Sequence, residues 1–190
     1  RRSSAASDVY KRQDNYWGIT MSFNGILVAN RGEIAIRITR AVQDLGIRAV
    51  AVHSEDDALS LHTQIADEKI QLDGVGAAAY LNMEGIIAAA QGSGCDAIHP
   101  GYGFLSEQEA FANLCADAGI KFIGPSAAHL SLFGDKARAR AAAIAAGVPV
   151  MPGLDRAVTL SEAQEFFAQH PDGIMIKALA GGGGRGTRAV

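Results

Sequence analysis

Short apolar runs alternate along this chain with stretches that repeat at helical spacing, and this alternation limits the fold more than any other feature. Residues 25–29, Gly-Ile-Leu-Val-Ala, contain nothing polar and read as a strand buried on both faces. Ile34, Ile38, Val42 and Leu45 then recur at near-helical spacing, with Gly46 as a stop. Residues 48–53 form the next strand, 58–66 a helix, 69–72 a short strand, and 83–91 a helix ended by Gly92. Residues 96–99 form another strand. Ser106 and Glu109 then spell the S-x-x-E capping box of a helix running to Ala116. A strand over 121–124 stops at Pro125. Strand–helix–strand order requires crossovers that return to the same sheet, so the pattern predicts a parallel α/β sheet with helices on both faces.

The character changes after Pro125. Residues 127–133 and 135–146 read as two helices broken near Gly134, and 148–153 as a connecting segment. Thr159 and Ser161 compete as N-caps of a helix through Gln169. A strand over 173–178, a glycine-rich turn over 181–186 and a return strand over 187–190 complete the pattern. The ends differ from the rest. Residues 1–20 carry +2 against −5 for the remainder, have no apolar periodicity, and lack the apolar region of a secretory signal. The segment 3–13 resembles a translated adapter sequence, so 1–20 read as a non-native or disordered leader and Met21 as the natural start. The stop at Val190, where a strand is beginning, reads as a truncation.

Composition removes several function classes. Lys plus Arg number 17 against 20 Asp plus Glu, which is no electrostatic footprint for nucleic acid. No run approaches the ~18 apolar residues of a membrane span. Cys95 and Cys115 are too few for a disulfide framework or a zinc site, and read as buried free thiols in a reducing, cytoplasmic compartment. His53, His62, His99, His129 and His170 show no metal-ligand spacing.

Four segments carry the candidate chemistry. The first is Lys177-Ala-Leu-Ala-Gly-Gly-Gly-Gly-Arg-Gly-Thr. A glycine run lets backbone N–H groups approach an anion with no Cβ in the way, and Lys177 on the preceding strand can reach a phosphate as a point charge. Gly181, Gly183 and Gly186 spell G-x-G-x-x-G, but a strand follows where a dinucleotide fingerprint needs a helix. No Gly-Lys-Ser/Thr follows either, so the loop is not a Walker A. A glycine-rich hairpin closing over phosphates is the physical reading, against a plain flexible loop. The second segment is His99-Pro-Gly-Tyr-Gly-Phe-Leu-Ser-Glu, which leaves a strand at the carboxyl edge of the sheet, where open α/β sheets bind ligands. The alternative there is an ordinary loop with Tyr102 and Phe104 packing as staples. The third is Ala29-Asn-Arg-Gly-Glu, where Asn30 is placed to cap a helix and Glu33 suits its first turn. The fourth is Lys136, whose charge at a helix start opposes the macrodipole; by spacing alone it reads as a solvated side chain.

Taken together these segments resemble the biotin carboxylase family of the ATP-grasp superfamily. The resemblance runs from about Ile26 to Val190. It is carried by Val28-Ala-Asn-Arg-Gly-Glu-Ile-Ala, Ala51-Val-His-Ser, Ala66-Asp-Glu, Ala79-Tyr-Leu-Asn, Ile98-His-Pro-Gly-Tyr-Gly-Phe-Leu-Ser-Glu, Phe122-Ile-Gly-Pro, Gly134-Asp-Lys and Gly181-Gly-Gly-Gly-Arg-Gly, all in the family's order. It implies a Rossmann-like amino-terminal domain over 21–124, connecting helices over 125–149, and the start of an ATP-grasp lid over 150–190. It also implies that Lys136 and Lys177 meet the ATP phosphates, that Gly183 and Gly184 contact the nucleotide from the lid, and that Tyr102 lies near the biotin site. Arg37 and Arg40 would lie on the face that pairs two subunits. The implied activity is that of an ATP-dependent ligase, carboxylating biotin on a carrier protein through carboxyphosphate, with Mg²⁺ (or Mn²⁺) on the nucleotide.

The implied partners are a biotin carboxyl carrier, a carboxyltransferase and a second copy of the subunit, with neither nucleic acid nor membrane. The parent belongs among the acetyl-CoA, propionyl-CoA, methylcrotonyl-CoA, pyruvate and urea carboxylases. The family's metal-binding acids and its bicarbonate and biotin arginines are expected beyond Val190, so the chain alone is expected to be inactive. Ala178-Leu179-Ala180 stands where the family usually has Ala-Ser-Gly, and Thr187 where it has Met. The competing readings are another ATP-grasp ligase such as a carbamoyl-phosphate synthetase, an oxidoreductase's dinucleotide-binding domain, and a non-catalytic truncated product.

Overall fold

Strand β1 (Gly25–Val28) is buried along its whole length, and α1 (Gly32–Asp44) follows it directly. β2 (Arg48–His53) leads through a 3-10 turn (Glu55–Asp57) to α2 (Leu61–Ile65) and β3 (Glu68–Gln71). Two helices, α3 (Gly76–Ala79) and α4 (Met83–Gly92), precede β4 (Ala97–His99). Then come α5 (Glu109–Asp117) and β5 (Lys121–Phe122). The five strands form one sheet in the order β3-β2-β1-β4-β5, every neighbouring pair parallel. The computed structural model describes residues 23–154, 156–178 and 186–190. The expected leader over 1–20, Met21, and the glycine-rich turn from Gly181 to Arg185 with Gly183 and Gly184 lie outside the described residues.

The sheet forms because its middle strands bury side chains on both faces. Ile26 and Val28 join Ile34, Ala35, Ile38 and Val42 of α1 in one cluster, with Ala49 and Ala97 from the flanking strands. Leu27, between them and fully buried, points the other way. Each such aliphatic side chain contributes about 1.5–3 kcal/mol on burial. The period of α1 places its apolar stripe on the sheet and leaves Glu33, Arg37, Arg40 and Asp44 exposed.

Local signals were outcompeted in three places. The S-x-x-E box at Ser106 and Glu109 does not form: α5 starts at Glu109 with Gln108 at the N-cap and no side-chain cap. Ser106 instead donates its N–H to the Gly103 carbonyl at 2.9 Å, inside the preceding turn. Asn30 does not cap α1 either; Arg31 holds that position. The helix expected over 58–66 shortens to α2 because Ser60 and Thr63 turn their hydroxyls to Asp57 and to backbone carbonyls. The short α3 had no periodic signal. Thr159 does win over Ser161, in a complete capping box with Glu162.

The chain divides into two compact units, one ending at Ala127 and one spanning Ala128–Val190. The second holds most of α6 (Ala127–Gly134), with α7 (Lys136–Ala145), α8 (Leu160–Ala168), β6 (Met175–Lys177) and β7 (Thr187–Ala189). β6 and β7 pair antiparallel as a two-stranded sheet. None of the described residues from 128 to 190 is buried, and an isolated two-stranded ribbon is marginal in water. Limited trypsin digestion is therefore expected to cut between 128 and 190 first and leave a core containing residues 23–127. Equal rates of cleavage in both units, followed by mass spectrometry, would contradict this.

Candidate functional site

β1 and β4 are neighbours whose following loops depart in opposite directions, so a crevice opens between them at the carboxyl edge of the sheet. Asn30, just past β1 and 2% exposed, bridges that crevice. Its Nδ2 donates to the carbonyls of Pro100 (2.7 Å) and Tyr102 (2.9 Å), while its Oδ1 accepts from the Arg31 N–H (2.8 Å). The loop after β4 comes this close because Gly101 has φ +69° and no side chain; a Cβ there would lie 2.7 Å from Asn30 Nδ2. Asn30 thus ties the loop after β1 to the loop after β4 at the carboxyl edge of the sheet.

A second set of contacts holds the same loop from the other side. Phe104 has φ +42°, the only positive value at a non-glycine position among the described residues. Its ring stacks on Tyr80, with centroids 5.4 Å apart and planes at 27°. Tyr80 is fully buried, and its hydroxyl donates to Asp57 Oδ2 at 2.8 Å. Asp57 Oδ1 accepts from Arg31 Nη2 at 2.7 Å and from Ser60 Oγ at 3.1 Å, and the Arg31 guanidinium lies 5.8 Å from the centre of the Tyr80 ring. Burial pushes the Asp57 carboxyl up, but the hydrogen bonds from Tyr80, Arg31 and Ser60 outweigh it and hold the group below the ordinary aspartate value. Burial, then the bond to Asp57, pushes the Tyr80 phenol up to about 12, so it stays a donor.

Between these two holds the turn carries Tyr102 outward, 65% exposed. Of the two expected staples, only Phe104 packs. His99 Nδ1 accepts from the Gly101 N–H at 3.1 Å, and burial lowers its pKa, which keeps the imidazole neutral. Burial likewise lowers the pKa of His62, whose Nε2 lies 3.3 Å from the Val52 carbonyl. Among the described residues no three His, Cys, Asp or Glu side chains gather as a metal-ligand cluster. Both cysteines are free and buried.

The other residues singled out from sequence lie elsewhere. Arg37 and Arg40 are exposed on α1. Lys136 opens α7, directly after Asp135, whose carboxylate accepts from the N–H groups of Ala137 (2.9 Å) and Arg138 (3.0 Å). Those bonds hold the Asp135 carboxyl below its ordinary value. They also satisfy two of the first-turn N–H groups of α7. Lys177 ends β6, is exposed, and pairs with Thr187. One step further the Ala178 N–H donates to the Gly186 carbonyl at 2.9 Å, and Gly186 has φ +75°. The hairpin is thereby closed on both sides of the glycine run. Sequence reasoning missed Asp57, Tyr80 and the bridging role of Asn30. The nearest signal was two glycines flanking an aromatic residue after a strand.

Comparisons with known proteins point the same way in sequence and in structure. The biotin carboxylase N-terminal domain family matches residues 22–130, and the ATP-binding domain of the carbamoyl-phosphate synthase L chain matches 135–190. The chain is 54% identical over 169 residues to the mitochondrial pyruvate carboxylase of Homo sapiens, covering 87% of this chain and 14% of that protein. It is 50% identical over 172 residues to the biotin carboxylase of a Nostoc species, covering 90% of this chain and 38% of the relative. Among solved structures, a biotin carboxylase complex with β,γ-ATP from Campylobacter jejuni superposes with a TM-score of 0.82 at 46% identity, over 90% of this chain and 39% of that one. The biotin carboxylase domain dimer of Hydrogenobacter thermophilus 2-oxoglutarate carboxylase, with MgADP and bicarbonate, gives 0.81 at 44%, over 89% and 38%. The chain thus spans well under half the length of the relatives it matches.

Proposed function

This chain belongs to the biotin carboxylase family, and from that premise we propose that it is the amino-terminal part of a biotin-dependent carboxylase, serving the ATP-dependent carboxylation of biotin on a carrier protein. The observation that carries this reading is the conjunction of the family match over 22–130 with an ATP-binding match over 135–190. Residues 21–124, with the five-stranded sheet, would be the Rossmann-like amino-terminal domain, 125–149 with α6 and α7 the connecting helices, and 150–190 the start of the ATP-grasp lid.

In the proposed reaction a bicarbonate oxygen attacks the γ-phosphorus of ATP, releasing ADP and forming carboxyphosphate. Loss of phosphate then yields CO₂, which the biotin ureido nitrogen captures as its N–H proton passes to the released phosphate. Negative charge spreads over the phosphoryl oxygens in the transition state, and positive charge placed in advance is what lowers that barrier. Lys177, exposed at the end of β6, and Lys136, at the start of α7, would supply it. Gly183 and Gly184 would let the lid backbone approach the nucleotide and exclude water from the labile intermediate. Mg²⁺ would neutralise phosphate charge when bound with the nucleotide; the described residues offer it no ligand cluster. Tyr102, exposed at the carboxyl edge of the sheet, would face the biotin of the carrier. Arg37 and Arg40 on the exposed side of α1 would meet a second subunit. A carboxyltransferase would take the carboxyl group onward to an acyl-CoA or keto acid. Two buried free thiols suit a reducing compartment such as the cytoplasm.

The test is ADP release by the intact carboxylase containing this chain. Biotin and bicarbonate are each expected to stimulate it, while the 190-residue chain alone releases none. Stimulation by bicarbonate but not by biotin would instead favour a carbamoyl-phosphate synthetase-like ligase. Tight NADH binding without ATP binding would overturn the reading altogether.

A further inference from the structure

Tyr102 stands between two glycines with positive φ, Gly101 at +69° and Gly103 at +66°. A Gly-Tyr-Gly turn left to itself would populate many conformations, because glycine loses more backbone freedom on ordering than any other residue. Two ties remove that freedom. The Asn30 amide holds the carbonyl of Tyr102 itself and that of Pro100 two residues earlier. Phe104, two residues later, accepts a left-handed backbone that costs a non-glycine residue about 1–2 kcal/mol. Its ring lies against Tyr80, which is immobilised by burial and by its bond to Asp57. The anchors come from different parts of the fold: Asn30 from the loop after β1, and Tyr80 from the end of α3. Asp57 and Arg31 join them into one network. The place of the exposed ring is therefore set by the sheet and not by its own loop. Such pre-organisation removes ordering cost from ligand binding and fixes reacting groups in place.

We propose that Asn30 and Phe104 are positioning residues for Tyr102, acting on the biotin half of the reaction and not on ATP cleavage. The inference rests on the reading above that Tyr102 faces the biotin. In the intact carboxylase, Asn30→Ala and Phe104→Leu are each expected to raise the KM for free biotin about tenfold. The KM for ATP and the biotin-independent rate of ATP cleavage should stay within about twofold. Amide exchange should accelerate at Gly101, Tyr102 and Gly103 and stay slow across β1 and β2. Tyr102→Ala is the reference. If it raises the biotin KM while the other two variants do not, the positioning role is overturned and the biotin-facing reading stands. If Tyr102→Ala leaves the biotin KM unchanged, that reading fails and the inference falls with it. A uniform loss across all parameters would mark Asn30 and Phe104 as structural only and also overturns the proposal. Should Asn30→Ala fail to fold, Phe104→Leu decides the question, since Phe104 leaves no buried polar group behind.

Discussion

Asp57→Ala is expected to lower the unfolding free energy of the amino-terminal unit by about 2–4 kcal/mol. Asp57 is 6% exposed and accepts hydrogen bonds from Arg31, Tyr80 and Ser60, so its removal takes away the carboxylate to which the fully buried Tyr80 hydroxyl and Arg31 donate. Arg31 keeps partial access to water, with 39% of its side chain exposed, which holds the cost below that of a fully buried pair. In a unit of this size the change corresponds to a fall in Tm of roughly 10–20 °C. The pH dependence gives an independent check. Because the folded carboxyl lies below its ordinary value, its contribution is complete above the unfolded aspartate pKa and is lost as pH falls through the folded one. The wild type should therefore lose stability below about pH 4, and Asp57→Ala should lose less over the same interval. Calorimetry of both chains from pH 3 to pH 7 decides it. A Tm within about 2 °C of wild type at pH 7 would show that the network does not hold these loops.

Lys177→Met is expected to cut biotin-dependent ADP release by the intact carboxylase about 10²–10³-fold, the effect typical of removing one preorganised charge from a transition state. The substitution keeps a long unbranched side chain and removes only the ammonium. Lys177 sits where β6 ends, exposed and in register with Thr187, so the ribbon itself should survive. On the proposed role, kcat falls more than the KM for ATP rises, since the charge matters most when phosphoryl oxygens gain negative charge. Lys121→Met, at an exposed position of the edge strand β5, is the control and should leave the rate unchanged. A loss below about threefold in Lys177→Met would remove Lys177 from the phosphate site.

Much of this was legible in the sequence because it depends on local periodicity. Apolar runs without polar interruption, such as residues 26–28, read as a doubly covered strand since each of those side chains must be buried on one face or the other. The stripe of Ile34, Ile38 and Val42 marked α1, and positive-φ glycines such as Gly46 marked turns. The family was legible too, because motifs in a fixed order survive as letters. The capping box at Ser106 was misread for the opposite reason: a cap is decided by competition. There the geometry of the turn that carries Tyr102 left Ser106 bonded back to Gly103.

What the tertiary structure alone decided is which long-range partner each polar side chain takes. Asn30 looked like a helix cap, because a cap needs only the next few residues. Its amide went instead to carbonyls 70 and 72 residues away, in the loop after β4, a strand that parallel pairing brings alongside β1. Asp57, Tyr80 and Phe104 carry no mutual spacing in the chain, yet burial forces each polar group to find a donor or acceptor, and the sheet order put them within reach. Periodicity along the chain determined the elements and the family. The meeting of loops at the carboxyl edge came from strand order, a property of the whole sheet that no local window contains.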